Sequence, residues 1–133
     1  MREKEIKWYP DGFELEMNTV WSFPERGNWA THDAKYRGNW SPYIARNLLL
    51  RYSQAGDLVL DQFVGGGTTL VEAKLLERNI IGIDINPISL ERCREKTDFE
   101  WENAGNVSIH KGDARNLFFI PDRNIDFILL MQI

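Results

Sequence analysis

The sequence has a single cysteine, Cys93, which excludes an internal disulfide and any zinc site built from several cysteines. It also has no run of about 18 apolar residues, the length that a membrane-spanning helix needs. The first residues, MREKEIKWYPDG, lack the apolar segment of a signal peptide. These absences predict a soluble cytoplasmic protein that does not bind a membrane.

An excess of basic charge is absent as well. The 16 Lys and Arg residues are outnumbered by 20 Asp and Glu residues, and the formal net charge is −4. A free-standing DNA-binding protein usually presents a basic face to the phosphates. Any nucleic-acid surface is therefore expected to be local or to lie elsewhere.

What the sequence does contain is enough for one folded domain. Of its 133 residues, 43% are hydrophobic and 12% are aromatic, and domains of about 100–150 residues are the commonest size. We predict a polar N-terminal arm at residues 1–20, flexible or loosely docked, because this stretch has no clear period. The domain itself is predicted to span residues 21–133.

The most informative stretch is residues 58–86. A short apolar run ends at Asp61, three glycines follow at 65–67, and an amphipathic helix begins at Thr68. A second apolar strand then leads to Asp84. Glycines let the backbone approach a ligand, a helix N-terminus attracts an electron-rich group, and a strand-end acid binds ribose hydroxyls. The pattern favours a site for a nucleotide or nucleoside over a purely structural turn.

Helices and strands alternate along the rest of the domain. Ser41-Pro42 suits the start of a first helix, since serine caps free amides and proline fits the first turn. A third helix is expected after Asn86-Pro87, extending to about Phe99, and further strands at Val107–His110 and Ile125–Ile133. This alternation predicts an α/β fold with a mainly parallel sheet.

The helical spacing also predicts which side chains face the core. In the first helix these are Ile44, Leu48, Leu49 and Tyr52. The side chains expected to face away from the core are Arg46, Asn47 and Arg51 in the first helix and, for the most part, Glu72, Lys74, Glu77 and Arg78 in the second. Cys93 is expected to be half-buried on the third helix.

Residues 21–40 combine three Trp, one Phe and one Tyr with Gly, Asn and Pro, a mixture typical of irregular structure. Two interpretations are open. The segment is either a loop attached to the core by its aromatic side chains or a flap over a planar ligand. His32-Asp33 lies here without other metal ligands, and we interpret the pair as ordinary loop residues.

The glycine turn departs from the G-x-G-x-x-G pattern of dinucleotide folds, because it contains an aromatic residue and has threonine where the third glycine would fall. Asp61–Thr69, DQFVGGGTT, instead resembles the D-P-F-x-G-[SG]-G-T-T signature of DNA methyltransferases that produce N6-methyladenine or N4-methylcytosine, with Gln62 in place of the proline. Three further segments resemble motifs of the same enzymes. They are Gly82–Asn86 for the acid strand, Gly112–Ala114 for the third cofactor motif and Asn39–Tyr43 for the segment at the methionine end of S-adenosylmethionine.

The resemblance covers about residues 20–130 and implies a Rossmann-like methyltransferase fold, truncated after the fourth strand of a sheet in the order 3-2-1-4. It implies that Asp61 and the amides of Gly65–Gly67 hold the methionine amino and carboxylate groups of S-adenosylmethionine. Asp84 would accept from the ribose hydroxyls and Asp113 from the adenine amino group, although Asp113 also fits a plain strand end. The full set implied at the cofactor is Trp40, Ser41, Pro42, Asp61, Phe63, Gly65, Gly66, Gly67, Thr68, Thr69, Asp84, Ile85, Asn86, Asp113 and Ala114.

The family's catalytic tetrapeptide, [DNSH]-P-P-[YFW], follows the fourth strand, and its aromatic ring stacks on a flipped base. Ile125–Leu130 resembles the strand that leads into it, but residues 131–133 are Met-Gln-Ile and the sequence has no Pro-Pro. We therefore assign no catalytic residue. The expected function is the cofactor-binding part of a DNA methyltransferase, inactive alone and with DNA as its partner in a complete enzyme.

Two other functions stay open. One is a non-catalytic relic or regulatory module, and the other is methylation of RNA or a small molecule. If the sheet ends with the fourth strand, Ile125–Ile133 is an exposed apolar edge, at which we predict a homodimer or a second polypeptide. The target base and the DNA sequence are not determined by these residues.

Overall fold

The computed structural model describes residues 6–17, 29–32, 41–113, 115 and 125–129. The helices are α1 (Pro42–Tyr52), α2 (Thr68–Leu75) and α3 (Pro87–Thr97). The strands are β1 (Leu58–Asp61), β2 (Asn79–Asp84), β3 (Val107–Lys111) and β4 (Phe127–Leu129). These boundaries confirm the predicted alternation of strands and helices.

The four strands form one parallel sheet in the order β3-β2-β1-β4. Asp61 lies beside Gly82 on one side and Leu129 on the other. The fold class and the strand order are thus confirmed. Within the described residues, β4 is an edge strand, and residues 130–133 of the predicted edge lie outside them.

Local sequence explains where two of the helices begin. The Ser41 hydroxyl accepts from the Tyr43 N–H at 3.3 Å, and Pro42 occupies the first turn of α1. Asn86 caps α3 in the same way, accepting from the Ile88 N–H at 2.9 Å ahead of Pro87. Each side chain satisfies an amide that the helix leaves without an internal acceptor.

The main core lies where the helices meet the sheet. Its buried apolar residues include Leu49 of α1, Leu70 of α2, Leu90 of α3 and Ile80 of β2. Cys93 belongs to the same core with no exposed surface, so the prediction of a half-buried position is wrong. A second cluster joins Trp29, Val71 and Leu75 and packs against the partly buried side chains Trp8, Ala30, Tyr43, Phe99 and Trp101.

Several polar residues predicted to face outward are buried. Asn47, Glu72 and Arg78 are 0%, 0% and 7% exposed, and Tyr52, predicted to face the core, is 51% exposed. The N-terminal segments 6–17 and 29–32 cover Asn47 and Glu72, whereas Arg78 is buried against the end of α1. The Asn47 amide pairs with the Glu16 backbone through bonds of 2.7 and 3.0 Å.

The N-terminal segment 6–17 contains no helix or strand, yet it contacts the domain at more than one place. Trp8 packs against Phe99 and Trp101 with ring centroids 5.1 and 5.7 Å away. The predicted boundary at residue 20 stays a prediction, since residues 18–28 lie outside the described part.

Helices α1 and α2 lie side by side and run in the same direction. Arg46 of α1 contacts Glu72 of α2 at 3.0 Å. At the opposite ends, Arg78 donates to the carbonyls of Leu49 and Ser53 at 3.2 and 2.7 Å and to the Ser53 hydroxyl at 2.9 Å. Both helices therefore begin at the same end of the pair.

Among the described residues, no helix combines the length and the apolar character that crossing a membrane requires.

Gly82 allows α2 and the glycine loop to approach β2. A methyl group at this position would lie 2.7 Å from Leu70 Cδ2 and from Val64 Cγ1. We expect Gly82→Ala to lower the free energy of unfolding by about 1–3 kcal/mol, the usual cost of overpacking a core. Urea denaturation tests this, with the exposed Ser108→Ala on the neighbouring strand as the control. An unchanged denaturation midpoint for Gly82→Ala would contradict the expectation.

Candidate functional site

The predicted acids lie together at the carboxyl ends of neighbouring strands. Asp61 ends β1 and Asp84 ends β2, and the parallel register places Asp61 opposite Gly82. Asp61 is buried at 4% exposure, whereas Asp84 is half-buried. In open parallel sheets this edge is where ligands bind.

The glycine loop folds back over this edge. Gly65 and Gly67 have φ angles of 52° and 87°, which residues with a side chain rarely adopt. The Gly65 N–H donates to Asp84 Oδ2 at 3.0 Å, and the other Asp84 oxygen accepts from the Asn86 N–H at 2.9 Å. Asp84 thus connects the loop to the start of α3, and Asn86 is used as the cap of that helix.

The environment of Asp61 disfavours the ionised form of its carboxyl group. Burial, with a smaller contribution from the nearby charge of Asp84, raises the pKa of Asp61 to about 6. The Phe63 N–H opposes this shift by donating to Asp61 Oδ1 at 3.0 Å. An incoming cation would stabilise the ionised carboxylate that burial disfavours.

The Thr69 hydroxyl lies close enough to Asp61 to lower the pKa of that carboxyl. It is nonetheless buried without a hydrogen bond of normal geometry among the described residues. Buried hydroxyls normally have a partner. The Thr69 hydroxyl is therefore a polar atom with unused hydrogen-bonding capacity at the start of α2, where Gly67 supplies no side-chain cap.

Cys93 of α3 packs against the glycine loop. Its thiol lies 3.6 Å from the Gly65 carbonyl, and a methyl group at Gly67 would lie 3.2 Å from the sulfur. Burial raises the pKa of the Cys93 thiol to about 12. The thiol therefore packs and does not act as a nucleophile.

Apolar side chains are exposed next to the acidic edge. Phe63 is 40% exposed, and Ile85 and Ile88 are each 65% exposed. Exposure of this kind marks a surface that an apolar ligand can cover. Ile88 was missing from the predicted set, although its place in the first turn after Asn86-Pro87 was a usable signal.

Most of the remaining predicted residues fall into three groups. Ser41 and Pro42 begin α1, on the same side as the start of α2, with the Ser41 hydroxyl accepting from an amide and Pro42 buried. Asp113 follows β3 and is paired with Arg115, the shortest contact being 2.6 Å, and these hydrogen bonds lower the pKa of Asp113 to about 2. Trp40 and Ala114 lie outside the described residues.

The chemistry of the set matches S-adenosylmethionine. Its ammonium cation is complementary in charge to Asp61, its ribose hydroxyls can donate to a carboxylate such as Asp84, and its carboxylate suits the amides at the start of a helix. Its planar base suits the exposed face of Phe63 and Ile85. The arrangement also leaves room, because a side-chain carbon at Gly65 would meet no atom within 4 Å.

A parallel sheet in this order, with a glycine loop after the first strand and an acid ending the second, is a Rossmann-like arrangement. The comparisons agree, since a family model described as "Methyltransferase domain" matches residues 59–133. A second model, described as "DNA methylase", matches residues 2–94. The chain belongs to the N6/N4 DNA methylase family.

Individual relatives point to nucleic-acid methyltransferases. Type II methyltransferase M.MjaII of Methanocaldococcus jannaschii is 34% identical over 65% of this chain and 17% of its own length. Type II methyltransferase M.HpaI of Haemophilus parainfluenzae is 42% identical over 48% of this chain and 20% of its own length. A tRNA (guanine(10)-N2)-dimethyltransferase of Methanothermobacter thermautotrophicus is 36% identical over 71% of this chain and 27% of its own length.

Among solved structures, TrmN from Thermus thermophilus superposes with a TM-score of 0.53 at 28% identity, over 61% of this chain and 25% of that one. The chain thus spans about a quarter or less of the length of these relatives. The shared part is the methyltransferase domain of an S-adenosylmethionine-dependent family.

Because folding raises the pKa of Asp61, its ionised carboxylate lowers the stability of the protein, and removing its charge should stabilise the protein. The ordinary pKa of Asp61 is 3.8 and its pKa in the folded protein is about 6. An acid whose pKa is raised in this way makes the protein progressively less stable as the pH rises between these two values. We expect Asp61→Asn to raise the free energy of unfolding at pH 7 by roughly 1–3 kcal/mol and to have little effect near pH 4.

Denaturation in urea at both pH values measures this difference. The exposed Asp98→Asn is the matched control and should change stability little at either pH. A less stable Asp61→Asn at pH 7 would show that the Asp61 carboxylate contributes to folding.

Proposed function

We propose that this chain binds S-adenosylmethionine through the residues predicted from its sequence. The observation that carries the proposal is the convergence of Asp61, the Gly65–Gly67 loop and Asp84 at the carboxyl edge of the sheet. The Gly65 N–H contacts Asp84 at 3.0 Å, so loop and acid are held together before any ligand arrives. Such preorganisation lowers the entropic cost of binding.

The methionine end would lie at the start of α2. Asp61 would accept from the ammonium group, and Thr69, whose buried hydroxyl has no hydrogen-bond partner of normal geometry among the described residues, would donate to the carboxylate. The amides of Gly66 and Gly67 would contribute further donors. Ser41 and Pro42, at the start of α1, would border this part of the site.

The nucleoside end would lie at the end of β2. Asp84 would accept from the ribose hydroxyls while Ile85, at 65% exposure, packs against the base. Asp113 would reach the adenine amino group once Arg115 releases its carboxylate. When bound, the donor supplies an electrophilic methyl group that an amine can attack directly.

We propose the exocyclic amino group of a DNA base, adenine or cytosine, as the acceptor in the complete enzyme. The match to the DNA methylase model and the type II relatives support this acceptor. RNA is the second candidate. The tRNA dimethyltransferase relative supports it, because that match extends over a larger share of this chain, 71%, than the matches to M.MjaII and M.HpaI.

We further propose that these 133 residues bind the donor but do not transfer its methyl group alone, as they contain no Pro-Pro-aromatic motif. A regulatory or relic module would also lack this motif, but it would not gain activity when a segment that carries the motif is added. The strand edge at β4, where Ile128 is 48% exposed, is the proposed docking position for a second chain or segment.

Calorimetry with S-adenosylmethionine and its demethylated product, S-adenosylhomocysteine, tests the cofactor assignment. We expect Asp84→Ala to weaken both affinities by about 10- to 100-fold, the range for hydrogen bonds to a charged group. Asp84→Asn should lose less, because it keeps an acceptor for the Gly65 N–H.

Asp11→Ala is the control, since Asp11 is exposed and pairs only with Lys7 among the contacts seen in the described residues. Failure of the unmodified chain to bind either compound would refute the cofactor assignment.

A transfer assay with methyl-labelled donor separates the proposed acceptors. The chain alone should label neither duplex DNA nor tRNA. With a separately produced segment that carries an Asp-Pro-Pro-Tyr motif from a type II relative, label should appear in DNA. Label in tRNA instead would favour the second candidate.

Light scattering on the mixture should report a complex formed through β4, and Ile128→Lys should abolish it. No label with either acceptor, despite a complex, would favour a regulatory module.

A further inference from the structure

The carboxylate of Glu72 is completely buried and receives three donors from outside its own helix. Trp29 Nε1 and His32 Nε2 each lie 2.8 Å from Oε2, and Arg46 Nη1 lies 3.0 Å from Oε1. The side chains of His32 and Arg46 are only 3% and 15% exposed. A charge buried to this depth requires paired donors, because its desolvation costs several kcal/mol.

The position of this ion pair in the two helices is informative. Arg46 lies four residues after Pro42, the first residue of α1, and Glu72 lies four residues after Thr68, the first residue of α2. Four residues make about one helical turn. The pair therefore joins the two helices about one turn from their N-terminal ends, which lie on the same side.

A link is needed at this place for an electrostatic reason. Parallel neighbouring helices bring their positive ends together, and these ends repel each other. Glu72 and Arg46 each lie about one turn from these ends, and their ion pair holds the two helix starts together against that repulsion. At the far ends, Arg78 holds the last carbonyls of α1, where a positive charge is favourable.

We propose that Glu72 is a positioning residue. Through Arg46 it sets the distance between the start of α1 and the start of α2, and so the width of the site for the amino-acid end of the methyl donor. The inference rests on the proposed function, since it assumes that Ser41, Pro42 and Thr69 border that end of the ligand.

The nucleoside end should be insensitive to Glu72. Asp84 and Ile85 lie at the end of β2, and Asp84 bonds to Gly65 and Asn86. None of the bonds of Glu72 reaches β2 among the described residues. A ligand without an amino-acid part should therefore bind equally well whether or not the link is intact.

Calorimetry with two compounds measures this difference. S-adenosylhomocysteine has the amino-acid part, and 5′-methylthioadenosine has the same nucleoside without it. We expect Glu72→Gln to weaken S-adenosylhomocysteine about tenfold and methylthioadenosine less than about twofold, an effect of the size that residues away from a ligand produce. Arg46→Met should have the same effect and keeps Glu72 paired with Trp29 and His32.

Two further variants separate positioning from stability. Arg46→Lys keeps the charge and should recover most of the affinity for S-adenosylhomocysteine. Ser53→Ala removes an acceptor of Arg78 at the far ends of the helices. It should lower the melting temperature without changing the ratio of the two affinities.

The outcomes are distinct. Equal losses for both compounds, or no loss in variants that melt as the unmodified chain does, would overturn the positioning role. Should Glu72→Gln fail to fold, Arg46→Met and Arg46→Lys give the same comparison. An unmodified chain that binds neither compound refutes the proposed function instead, and one that binds both supports it whatever the variants do.

Discussion

The buried carboxylate of Glu72 is the interaction on which the arrangement of the helices depends. Its charge is stabilised by Trp29, His32 and Arg46, which come from two other parts of the chain. Helix α2 therefore reaches its native environment only when α1 and the segment 29–32 have packed against it. Because the glycine loop leads directly into α2, the arrangement of the ligand site depends on contacts that lie well away from it.

Much of the fold follows from local signals in the sequence. The apolar runs, the serine and asparagine caps and the glycine turn place each helix and strand close to its observed position. The order of the strands follows from the family resemblance, and the parallel pairing confirms it. These signals succeed because each depends on residues within a few positions of one another.

The burial of polar residues was not predictable in the same way. Asn47 and Glu72 lie among polar residues of their helices and Arg78 follows the end of α2, and spacing alone assigns such residues to solvent. Their partners lie far away in the chain. Glu16 bonds Asn47 across 31 positions, and Trp29 bonds Glu72 across 43. A periodic pattern contains no information on such pairs. For the same reason the sequence predicted His32 to be an ordinary loop residue, although its side chain contacts Glu72.

The position of Cys93 has a practical consequence. The chain's one thiol lies beneath the glycine loop, within 3.6 Å of the Gly65 carbonyl, and has no exposed surface. A reagent that modifies thiols reaches it only when α3 separates from the loop, and its high pKa slows reaction further. The rate at which Cys93 is modified therefore measures how often the ligand site opens locally, and no label has to be introduced into the chain.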